Sequence, residues 1–166
     1  LLASLPLCAQ QTDVLFIGNS YTATNNLPSM FQQIALSLGD TVNTTIQAPG
    51  GYTLANHLFD PATQNAIASQ QWDYVVLQEQ SLRGALPTNE TFSDIDATAL
   101  NYAIQESSEC AYPVFFMTWG YANGYNLTSW EYPELNTYSG MQQALRDNYT
   151  HYALENEGYV SPVGWA

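Results

Sequence analysis

Apolar runs of strand length alternate along the chain with longer segments whose apolar residues recur at helical spacing. The stretches DVLFIG from Asp13, DYVVLQEQS from Asp73 and YPVFFMTWG from Tyr112 each hold a short continuous apolar run that stops at a polar or glycine-containing tip. Runs of that length, bounded by turn residues, read as buried strands. Between the first two lies NLPSMFQQIALSLG, with Leu27, Met30, Phe31, Ile34 and Leu38 on one helical stripe, Pro28 near its start and Gly39 at its stop. TVNTTIQAPGG reads as a further strand running out at Gly50 and Gly51. YTLANHLFDPATQNAIASQ reads as a helix interrupted at Pro61. Phe92–Glu109 is a helix with apolar Ile95, Leu100 and Ile104, and Met141–Glu157 is a last helix leading into GYVSPVGWA. Tyr121–Tyr138 is a long polar and aromatic loop. This regular alternation predicts an α/β domain with a mostly parallel sheet, strand order 2-1-3-4 and helices on both faces.

In such a sheet, ligands bind beyond the carboxyl ends of the strands. That rule collects four tips on one rim: GNSYT after strand one, APGGYT after strand two, QEQS after strand three and TWGYANGYN after strand four. Ser20 sits on the first tip, where an apolar run ends abruptly at Gly18. A serine so placed acts as a nucleophile when a base takes its proton and donors stabilise the oxyanion that follows. Backbone amides at the Gly50–Gly51 turn and a side-chain amide from Gln78 or Gln80 are suitable donors. Asn19, Gln78, Ser81, His57 and Trp119 are candidates for the rim of the site.

Composition narrows the partners. Two arginines and no lysine stand against fifteen acidic residues, and the net charge of −13 repels phosphate backbones and anionic membrane surfaces. Nucleic acid is therefore excluded as an expected partner. Only 10% of residues are charged while 46% are hydrophobic, which suits a single globular domain rather than a disordered tail. No Walker-type glycine loop is present, so phosphoryl transfer is disfavoured. The two histidines, His57 and His151, lie far apart without an acidic cluster, so no metal and no cofactor is expected. Twelve tyrosines supply aromatic faces of the kind that line sugar-binding grooves.

The order GNS, a glycine after strand two, an amide-bearing tip after strand three and a TWG tip after strand four resembles the SGNH (GDSL-like) hydrolases, in particular a branch with FIGNS and LQEQS. The resemblance runs from about Asp13 to Ala166. It implies a flavodoxin-like three-layer α/β/α sandwich, Ser20 as nucleophile, and an oxyanion hole built from the amides of Ser20 and Gly51. The family's third donor is an asparagine that this sequence lacks, and Gln80 is the substitute, with Gln78 or Ser81 as alternatives. The late Asp-x-x-His block that supplies the general base in these hydrolases is also missing, which is read here as truncation. What the resemblance implies is an esterase acting on a small-molecule or carbohydrate ester, acetyl or another short acyl group, or else a catalytically poor carbohydrate-binding module on the same fold. Leu1–Leu7 resembles the end of a secretory leader, with residues 1–10 as its remnant and residues 13–166 as the domain. The expectation is a secreted or periplasmic protein with no membrane insertion in the mature form. Cys110 is expected to be a lone buried thiol.

Overall fold

The computed structural model describes residues 11–125 and 131–165. Five strands, β1 (Thr12–Ile17), β2 (Val42–Gln47), β3 (Tyr74–Leu77), β4 (Tyr112–Phe116) and β5 (Tyr159–Ser161), form one sheet in the order β2-β1-β3-β4-β5. All four pairings are parallel. The predicted order 2-1-3-4 is thus present, extended by a fifth strand from the GYVSPVGWA stretch. The order reverses beside β1, since the chain steps outward to β2 and then crosses back to β3. This places the β1 and β3 tips at the point where such sheets bind ligands.

The helices are α1 (Ser20–Ala23), α2 (Leu27–Ser37), α3 (Leu54–Phe59), α4 (Pro61–Ile67), α5 (Thr88–Thr91), α6 (Ser93–Ser107) and α7 (Tyr138–Glu155). Their starts follow from local chemistry. The Thr53 hydroxyl accepts from the Asn56 amide while the Asn56 side chain accepts from the Thr53 amide, a reciprocal cap that starts α3. The predicted interruption at Pro61 is real: the Asp60 carboxylate caps α4 by accepting from the Ala62 and Thr63 amides, and Pro61 takes the first helical position. Thr137 caps α7 through the Gly140 amide.

Period-two alternation divides the strand residues between two faces. Leu15, Ile17, Val75, Leu77 and Phe115 point into a core closed by Leu54 of α3, Ile67 of α4, Leu100 and Ile104 of α6, and Leu145, Tyr149 and Tyr152 of α7. Val14, Phe16, Val76 and Phe116 point the other way, where Ala35 of α2 meets them. The apolar stripe of α2 is largely in solvent: Met30 is 51% and Ile34 58% exposed. These side chains flank an open trough of about 850 Å³ that runs along the second face from Thr12 and Tyr74 to Ser20 and Trp119. Ile95 of α6 is also exposed, and Cys110 is an exposed rather than a buried free thiol because it lies in the turn before β4. Among the described residues, no helix is long and apolar enough to cross a membrane.

Candidate active site

The first tip is built around a glycine with no room for a side chain. A Cβ on Gly18 would lie 2.4 Å from Thr22 Oγ1 and 2.7 Å from Gln78 Oε1, so the requirement at Gly18 is close approach. Its backbone does not need positive φ. Asn19 follows in extended geometry and caps α1, its Oδ1 accepting from the Tyr21 amide at 3.1 Å. Ser20 is then the first residue of α1, and it is exposed. Because α1 opens at this point, the Ser20 amide has no carbonyl one turn back to bond to. Gly51, by contrast, has φ +74 and needs glycine's conformational freedom; its surroundings are open. Among the described residues, neither the Ser20 nor the Gly51 amide donates a hydrogen bond.

Four of the five rim candidates lie beneath the surface. Asn19, Gln78, Ser81 and His57 are each at most 4% exposed, whereas Trp119 is 40% exposed and its ring meets that of Tyr21 at 4.8 Å. The buried four hold the tips together instead of lining an open rim. Gln78 Oε1 accepts from the Asn19 amide at 3.0 Å and from the Thr22 hydroxyl at 2.9 Å, and its Nε2 donates to the Glu79 carbonyl. All of its hydrogen-bonding groups are engaged, as burial demands. Asn19 Nδ2 donates to the Tyr52 carbonyl at 2.8 Å, tying the first tip to the second. Ser81 Oγ is paired with the Tyr121 hydroxyl at 2.7 Å, across to the fourth tip.

Gln80 differs from Gln78. Its Oε1 accepts from the Arg83 amide at 2.9 Å, which assigns its Nε2 as the outward donor, and among the described residues that Nε2 has one hydrogen-bond contact, Ser81 Oγ at 3.5 Å. A contact that long leaves the amide available to another acceptor.

Glu79, between the two glutamines, went unnoticed in the sequence. It is fully buried, with Oε1 accepting from the Gln80 amide at 2.6 Å and the Leu54 amide at 3.2 Å, and Oε2 facing Arg83 Nη1 at 3.1 Å. Arg83 bridges onward to Asp96 at 2.7 Å and to the Thr91 carbonyl. Burial pushes the Glu79 carboxyl up to about 7, against the pull of the Gln80 amide and Arg83. The Glu79 amide in turn donates to the Tyr149 hydroxyl of α7 at 3.1 Å. One carboxylate therefore fixes the third tip to the start of α3 and to α6. The Glu79–Arg83 spacing of four residues was the one trace of this network in the sequence.

His57 is fully buried on α3. Its Nε2 lies 2.7 Å from the Gly18 carbonyl and its Nδ1 2.8 Å from Thr63 Oγ1. Both ring nitrogens are committed, so His57 does not reach Ser20 as a base. His151 lies on α7, with Nε2 3.7 Å from Asp94 Oδ2. Among the described residues, no cluster of His, Cys, Asp and Glu is arranged to hold a metal ion.

No known sequence family matches this chain, and no curated protein matches it by sequence. Solved structures do match it by shape. A DUF4886 family protein from Bacteroides uniformis superposes with a TM-score of 0.72 at 18% identity, over 93% of this chain and 68% of that one. AlinE4, an SGNH-hydrolase family esterase, gives a TM-score of 0.64 at 15% identity, over 92% of this chain and 76% of the other. The psychrotrophic esterase EstA from Pseudoalteromonas sp., in a form inhibited by monoethylphosphonate, gives 0.61 at 13% identity, over 90% and 75%. At these identities the likeness is one of fold.

Proposed function

We propose that this chain, which has the fold of the SGNH hydrolases, is the nucleophile-bearing part of a serine ester hydrolase, with Ser20 as the attacking residue. The observation that carries the reading is the first tip itself: an exposed hydroxyl at the opening of α1, with its own amide unengaged, on a turn braced from below by Gln78 and Asn19. In the proposed reaction Ser20 Oγ attacks the ester carbonyl and gives up its proton to a base. The Ser20 and Gly51 amides and Gln80 Nε2 donate to the oxyanion, and collapse of the tetrahedral intermediate expels the alcohol. Water then hydrolyses the acyl-enzyme.

Neither histidine is arranged to take the Ser20 proton, so in this reading the base is a group other than His57 and His151. The 166-residue chain by itself is accordingly expected to turn over esters poorly. The exposed Trp119 ring, which lines the same trough as Ser20 and lies tilted against Tyr21, supports an alcohol portion with a flat apolar face, such as a sugar ring, and with it a short acyl group. Export belongs to the same reading.

The test is Ser20→Ala in a full-length protein, assayed on short-chain aryl esters and acetylated sugars. Loss of kcat on the order of 10⁴- to 10⁶-fold is expected. A fluorophosphonate reagent should label the parent at Ser20 and leave the variant unlabelled. Hydrolysis that survives the substitution, or labelling that maps to Ser81, overturns the assignment. A protein that binds acetylated sugars without hydrolysing them would instead be the binding module.

A further inference from the structure

We propose that His57 is a positioning residue for the reaction at Ser20: it holds the carbonyl of Gly18 and thereby sets the nucleophile turn against the Gly51 loop. The inference rests on Ser20 being the nucleophile. Gly18 is the second residue before Ser20 and is buried, so its carbonyl needs a donor from the protein. A carbonyl oxygen cannot donate, so the 2.7 Å contact fixes the proton on His57 Nε2. The Gly18 amide is meanwhile bound to the Gln47 carbonyl at the end of β2, at 3.0 Å. Both polar groups of the residue that opens the turn are thus held by the second βα segment.

The ring itself is held from behind. Nδ1 lies 2.8 Å from Thr63 Oγ1, and Thr63 Oγ1 lies 2.8 Å from Asp60 Oδ2, which also accepts from the Thr63 amide at 3.1 Å. The Thr63 hydroxyl has one proton, and it donates to Asp60 Oδ2 in the structure. With a neutral ring the same hydroxyl can instead turn to Nδ1, and with a protonated ring Nδ1–H donates to the Thr63 oxygen while the hydroxyl stays on Asp60. In both arrangements Nε2–H stays on Gly18, so the hold on the turn does not depend on the ring's charge. The Tyr52 ring closes the remaining side, with centroids 5.1 Å apart, and its carbonyl takes the Asn19 side-chain amide. His57 and Tyr52 are therefore two adjacent ties from the Gly51–α3 segment to Gly18 and Asn19. They fix the distance between the proposed nucleophile and the second oxyanion donor, a geometry in which a 1 Å error can cost about 10²-fold in rate.

The experiment uses full-length protein and compares His57→Leu, which removes the donor at similar volume, with His57→Gln, whose Nε2 can reach the same carbonyl. His57→Leu is expected to lower kcat by roughly 10- to 100-fold with KM within about two-fold of the parent, and to slow fluorophosphonate labelling of Ser20 in parallel. His57→Gln is expected to recover most of that loss. A merely structural role predicts equal damage in both variants, or a change in expression and melting with kcat per folded molecule unchanged, and either result overturns the proposal. Should His57→Leu not fold, Thr63→Val decides: it removes the partner that fixes the ring and is expected to lower kcat with KM little changed, and an unaltered kcat overturns the proposal. Ser20→Ala run alongside separates the two claims. Activity retained in that variant defeats the nucleophile reading, whereas its loss together with a normal His57→Leu defeats the role of His57 alone.

Discussion

The two faces of the sheet are held very differently. On one, α3, α4, α6 and α7 close over the strands, and Leu15, Ile17, Leu77, Leu100, Phe115, Leu145, Tyr149 and Tyr152 are fully buried. On the other, Ala35 of α2 meets Val14, Phe16, Val76 and Phe116, and the trough beside them is open. Parallel sheets ordinarily have both faces covered. At roughly 1.5–3 kcal/mol for each fully buried large apolar side chain, most of the stabilisation residing in this chain comes from the first face. Ser20 lies where the two meet: it borders the trough, while the buried groups that brace its turn, Gln78 and His57, belong to the tips and to α3. For the proposed nucleophile this arrangement suits an acyl acceptor site, since the braced side sets geometry and the open side admits substrate.

The largest effect that sharpens this contrast is on the closed face. Leu100→Ala, at a fully buried position of α6, should cost about 2–5 kcal/mol in urea unfolding. A loss under 1 kcal/mol would mean the first face is not the stabilising one.

Next in size is the pH dependence of the buried carboxyl behind the third tip. Burial raises Glu79 from 4.5 to about 7, so the folded state favours the protonated acid more than the unfolded state does. The stability it contributes is complete below pH 4.5 and is lost as pH rises through 7, a change of at most about 3 kcal/mol. His57 works in the opposite sense. Desolvation holds it below 6.5, so its contribution is present above that pH and is lost as pH falls through the lowered value. Urea midpoints taken from pH 5 to 8.5 should fall less steeply with rising pH in Glu79→Gln than in the parent, whatever the absolute stability of the variant. Identical slopes would show that Glu79 is ionised throughout, as a better hydrated site would make it.

On the open face the matching truncation should do less. Val114→Ala removes two methyl groups from a half-buried position on β4 and should cost about 1 kcal/mol. A cost equal to that of Leu100→Ala would erase the difference between the faces.

How much of this could be read beforehand follows the same division. The apolar runs of β1, β3 and β4 and the capped break at Asp60–Pro61 are local signals, and the structure has them where the sequence puts them. Strand order followed from the alternation of elements, and the tips that carry Ser20, Gly51, Gln80 and Trp119 follow from strand order. The α2 helix was legible but its exposure was not, because periodicity reports that a helix has an apolar face and says nothing of whether a second layer meets it. The buried supports were invisible for a different reason. Gln78 under Asn19, His57 under Gly18 and Tyr149 on the Glu79 backbone are pairings between segments 39 to 70 residues apart. No spacing rule encodes them, and polar residues at strand ends look like rim residues until the tips are packed together.

The smallest expected effect is the most discriminating. Ile34 projects from α2 at 58% exposure, within the stripe that flanks the trough. Glutamate has a helix propensity at least as good as isoleucine, so Ile34→Glu gains slightly in the backbone and gives up little burial. A surface change of this kind stays within about 0.5 kcal/mol. The melting temperature should therefore hardly move, while binding of an apolar dye such as ANS should fall, because the charge is placed on the edge of the exposed apolar surface. The same substitution at Leu145, on the closed face, should prevent folding, since it buries an unpaired carboxylate. If Ile34→Glu instead costs several kcal/mol, the α2 stripe is covered in solution as thoroughly as the opposite face, and the sheet has two closed sides.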